Sequence, residues 1–180
     1  MAEYSPGLAG IIAGESAISR IDFERNMLVV RGYDLEELTS RISFEEAVWL
    51  VLHGDLPTQV QLDELTTTLT AERALAPQVH TILRESPPTV HPMALMRTAV
   101  SALGMLDPDA QDSTREASLR KALRLLAKAP TILAAGHRHA QGLEPLPPDP
   151  PPLAPPPGML IPVPTRSPNS ARRDRDANAW

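Results

Sequence analysis

Cysteine is absent from this 180-residue chain, so a disulfide framework and any thiolate-held metal are excluded. Aromatic residues are scarce at 3%, and the core that 42% hydrophobic content can build must come from Leu, Val, Ile, Ala and Met. No apolar run reaches the ~20 residues that a bilayer-spanning helix needs, and no stretch has the layout of a signal peptide. The expectation is a soluble cytoplasmic protein without a membrane partner. Positive charge is not in excess either. The formal net charge is −5, with acids and bases interspersed ahead of the C-terminal tail, which leaves no basic surface for nucleic acid. A glycine-rich phosphate loop, a nucleophile elbow, a metalloprotease helix and internal repeats are all missing.

Proline, by contrast, is abundant and clustered: twelve of the twenty prolines fall between Pro145 and Pro168. Such a density prevents helix and ladder hydrogen bonding and favours extended or disordered chain. The expected organisation is therefore a helical region over residues 1–149 and a Pro-rich, disordered tail over residues 150–180.

Within the first region, Ile18, Ile21 and Phe23 set against Leu28, Val29 and Val30 predict a small β-hairpin turning at Phe23 to Asn26, with Arg31 to Asp34 ending its second strand. Helix starts follow, each with a capping oxygen and a Glu or Gln three residues on: Asp34 with Glu37, Ser43 with Glu46, Thr58 with Gln61, Ser113 with Glu116. Gly54 should end the helix that begins near Phe44 and buries Ala47, Val48 and Val51. Leu62, Leu65 and Leu69 mark the next helix, and Pro77 opens a short one that buries Val79, Ile82 and Leu83 and ends at Pro87-Pro88. A later helix should bury Leu119, Ala122, Leu123 and Leu126, with a kink or break near Pro130.

The stretch from His91 to Gly104 is the most distinctive. Pro92 suits a first helical position; Met93, Met96, Val100 and Leu103 recur on one side, and Ala94, Thr98, Ser101 and Ala102 form a strip of small residues on the other. This predicts a helix packed on two sides. His-Pro-Met followed by Arg-Thr-Ala-Val-Ser-Ala-Leu-Gly resembles the citrate synthase family. So do Gly14-Glu15-Ser16-Ala17-Ile18, Arg31-Gly32-Tyr33-Asp34, Leu52-His53-Gly54-Asp55-Leu56-Pro57 and Ala127-Lys128-Ala129-Pro130-Thr131-Ile132.

The resemblance runs from Pro6 to Asp149. It implies an all-α fold, the N-terminal part of that family's multi-helix large domain, with a short N-terminal β-hairpin. The complete family enzyme is a longer homodimer that condenses acetyl-CoA with oxaloacetate to citrate and CoA. An Asp takes a proton from the acetyl methyl, one His stabilises the enol, another polarises the oxaloacetate carbonyl, and arginines clamp carboxylates. Those groups lie later in the family, and its His-Ala-Asp-His-like stretch has no counterpart here.

The resemblance therefore transfers no catalytic, cofactor-binding or metal residue. No tightly bound cofactor is expected, and acetyl-CoA enters only as co-substrate of the complete enzyme. The five histidines have plainer readings. His53 is a favourable group at a helix C-terminus, His80 a surface residue, and His91 a cap or buried hydrogen-bond donor. His137-x-His139 is a two-ligand metal fragment that lacks a third. The expectation is a truncated, inactive form whose tail arises from a reading-frame change and whose exposed helix faces can self-associate. Two alternatives stand beside it: a 2-methylcitrate synthase fragment, handling propionyl-CoA in the complete enzyme, and a non-enzymatic helical interaction module with a Pro-rich ligand tail.

Overall fold

A computed structural model describes Gly7, residues 10–12 and residues 14–147. The Pro-rich tail, its expected disorder and the boundary at residue 149 lie outside the described residues. Among them the order is β1 (Ser19–Asp22), β2 (Met27–Val30), β3 (Tyr33–Asp34), α1 (Leu35–Arg41), α2 (Phe44–His53), α3 (Gln59–Ala71), α4 (Pro77–Glu85), α5 (Pro92–Leu106) and α6 (Arg115–Ala140). Packing separates two compact units, dividing between Pro57 and Thr58.

In the first unit the hairpin forms as expected, with Ile21 opposite Leu28 and Asn26 adopting φ 51° in the connecting turn. The expected end of the sheet at Arg31 is corrected. Arg31 (φ 48°) and Gly32 (φ 90°) form a two-residue loop that returns the chain as β3, pairing Val30 with Tyr33. Arginine is an uncommon choice at positive φ. Here its guanidinium compensates, donating from Nε and Nη2 to the Val51 carbonyl at 3.1 and 2.6 Å and so capping the last turn of α2. Tyr33, Leu38 and Leu50 form the core of this unit, with Val30, Ile42 and Leu56 against it. Leu50, rather than Ala47 or Val51, is the deepest side chain of α2. The reciprocal capping box at Ser43 and Glu46 is present, and Gly54 stops the helix at φ 98°.

The second unit is a four-helix body. Thr58 and Gln61 form the second complete capping box, and Leu65 and Leu69 are buried on α3. Thr67 and Thr68 are poor helix formers that fold their hydroxyls back onto the Asp63 and Glu64 carbonyls at 2.8 and 2.9 Å. The main core joins Val79 and Leu83 of α4, Leu95, Ala99, Ala102 and Leu103 of α5, and Ile132 and Ala135 of α6. Gly136 is buried where α6 meets α5, and a Cβ placed on it would overlap Leu95 Cδ2.

Several expectations for this unit are corrected. On α5 the buried stripe is Leu95, Ala99, Ala102 and Leu103, while Met93 and Val100 are 68% and 37% exposed. Neither expected strip is buried whole: Thr98 and Ser101 are exposed along with Met93 and Val100, while Ala102 of one strip and Met96 and Leu103 of the other lie against the core, where Ala99 and Ala102 admit α6 closely. The α6 cap is Thr114, accepting from Ala117 N–H at 3.3 Å, not Ser113. The Asp112 carboxylate accepts the Thr114 N–H at 2.8 Å and so fixes the helix start one residue later. Finally, of the kink or break expected near Pro130 the break is absent: α6 runs on through this exposed proline. The missing N–H costs one bond, and the ring faces solvent rather than a packed neighbour. Leu119, Ala122, Leu123 and Leu126 are only half-buried.

Candidate functional site

The densest polar constellation ties the α5–α6 connection to α6. Asp107 ends α5, and its Oδ1 accepts the Asp109 N–H at 2.8 Å, holding the turn around Pro108. Arg120 and Arg124 lie one helical turn apart and face this turn together. Arg120 grips Asp109 with two bonds of 3.0 Å, and Arg124 spans both acids, 2.6 Å to Asp107 and 2.6 Å to Asp109. Lys121 donates to the Asp112 carbonyl at 2.6 Å. Further along α6, Lys128 meets the Glu72 carboxylate at 2.7 Å, tying α6 to the end of α3.

Electrostatics follow from the pairing. Hydrogen bonds from Arg120 and then Arg124 hold Asp109 far below the usual carboxylate range. Burial pushes Asp107 up, but the Asp109 N–H and the Arg124 guanidinium outweigh it and the net shift is downward. The same contacts, led by Asp109, raise Arg120 and Arg124. Every shift thus moves a group away from neutrality, the opposite of what a proton-transferring residue needs. The cluster is a clip. Its sequence signal was present as Asp-Pro-Asp ahead of two arginines at helical i,i+4 spacing, and sequence reasoning missed it.

The histidines do not converge. His53 ends α2 and stacks on Trp49 with ring centroids 4.0 Å apart. His91 caps α5 as an acceptor, its Nδ1 taking the Met93 N–H at 3.2 Å, and the residue is exposed rather than buried. His80 is corrected: it is half-buried, and its Nδ1 is shut off from solvent with no protein partner. His137 and His139 sit two residues apart on α6, about 200° around the helix, and cannot face one ion together. His137 pairs with Gln141 at 3.1 Å, whereas His139 Nε2 is enclosed without a partner. Among the described residues no group of three or more His, Asp or Glu could hold a metal. No helix among them is long and apolar enough to cross a membrane.

Comparison with known proteins gives this architecture its relatives. The model described as "Citrate synthase, C-terminal domain" matches residues 7–154. A citrate synthase of Mycolicibacterium smegmatis is 40% identical over 142 residues, 79% of this chain and 38% of the relative. A 2-methylcitrate synthase of Mycobacterium tuberculosis is 38% identical over 146 residues, 81% of this chain and 37% of the relative. The crystal structure of citrate synthase from Pyrobaculum aerophilum superposes with a TM-score of 0.71 at 34% identity, covering 77% of this chain and 37% of that one. The chain thus spans well under half the length of the relatives it matches. With a family model running through nearly all of the described residues, and a helical layout shared with a solved citrate synthase, the chain belongs to the citrate synthase family.

Proposed function

We propose that this chain supplies helical scaffold to a citrate synthase-type acyltransferase and that the chain by itself does not condense acetyl-CoA with oxaloacetate. One observation carries the reading: the charged groups that the structure gathers together are committed to ion pairs and caps inside the helical body. Claisen condensation needs a base at the acetyl methyl and donors at two carbonyl oxygens, all aimed at one point. The remainder of a family-length enzyme would provide those groups. The substrates of that whole enzyme would be oxaloacetate and acetyl-CoA. Propionyl-CoA is the alternative, since citrate and 2-methylcitrate synthases match at 40% and 38% identity over similar spans. The reading includes a homodimeric, cytoplasmic complete enzyme, with no nucleic-acid partner.

Two measurements test it. The purified chain is expected to release no CoA thiol from acetyl-CoA or propionyl-CoA in the presence of oxaloacetate, and turnover that survives repurification overturns the proposal. A chimera carrying residues 14–147 in place of the matching segment of the M. smegmatis enzyme is expected to retain condensing activity. A folded but inactive chimera would show that this segment cannot stand in for the native one and would reject the scaffold role.

A further inference from the structure

We draw no further inference here: the strongest candidate, the open cavity of about 220 Å³ lined by Leu75, His80, Thr131 and Pro145 to Pro147, carries nothing because the unpartnered Nδ1 of His80 is sealed from solvent and nothing else there points to a ligand.

Discussion

At the scale of single residues, Asp109 and Gly136 show two kinds of constraint. The Asp109 carboxylate is shared by two guanidiniums, so its affinity for a proton is lower in the folded chain than in the unfolded one. The sign follows from linkage. Above the ordinary value of 3.8 both states are ionised and the pairing contributes fully; as pH falls below 3.8 the unfolded chain takes protons first and the contribution is lost. Asp107 and Asp112 are also shifted downward, so the acid limb of stability should be steep. Asp109→Asn is expected to lower the melting temperature at neutral pH and to flatten that limb, the two proteins converging in strong acid. Circular-dichroism melts across this range check it, and parallel curves would show that the clip contributes nothing. Gly136 answers to volume instead. Valine there must displace Leu95 from a closed core, an overpacking cost of about 1–3 kcal/mol. Alanine intrudes less and regains about 1 kcal/mol of helix propensity, so Gly136→Ala should fall between wild type and Gly136→Val in urea unfolding. A valine variant as stable as wild type would mean that Leu95 yields freely. The clip had a sequence signal that was overlooked, whereas the constraint at Gly136 was not legible, because it depends on which residues meet across helices.

Single elements were more legible, since local chemistry marks their ends. Pro77, Pro92, Gly54 and the pairs Ser43/Glu46 and Thr58/Gln61 fix helix termini through backbone groups a few residues away, and all act as their spacing predicts. The misplaced features each involve a competition that spacing cannot decide. Ser113 and Thr114 are both competent caps, and the Asp112 carboxylate selects the second. The buried stripe of α5 runs between the two expected strips, because close approach of α6 selects the side with Ala99 and Ala102. Pro130 is the instructive case. Its helix-breaking tendency, about 3 kcal/mol relative to Ala, is overridden by the packing of Ala127, Ile132 and Ala135 on either side. Removing it should recover most of that cost, less about 1 kcal/mol because proline also restricts the unfolded chain. Pro130→Ala is thus expected to stabilise the chain by about 2 kcal/mol in urea titration, and because the ring is exposed its removal opens no cavity in the core. A destabilised variant would show that the proline shapes α6 in a way the core requires.

For the whole molecule, family membership was readable from short segments in order, whereas the polar constellation was not, because its partners come from a turn, α3 and α6 and meet only once the chain is folded. The outward strip of α5 has a physical consequence of its own. Met93 and Val100 lie one above the other on that helix, with Arg97 between them and Gly104 beyond, and Met105 nearby is 81% exposed. Exposed apolar side chains on one face of a helix offer a second chain a surface to pack on. The expected consequence, as the sequence already suggested, is self-association through this strip. A helix of 15 residues is about 22 Å long, so a single pair of such helices buries far less than the ~800 Å² per partner typical of stable complexes. Association should therefore be weak and concentration-dependent rather than a permanent dimer. Sedimentation velocity over a dilution series is expected to show a reversible shift toward larger species. Val100→Glu, which puts a charge at the centre of the strip without touching the buried stripe, should abolish the shift while leaving the helical signal and melting temperature close to wild type. Glutamate at Thr39 of α1, an exposed position in the other unit, should leave association unchanged. If wild type stays monomeric throughout, or if both variants weaken association equally, the outer strip of α5 is not a contact surface.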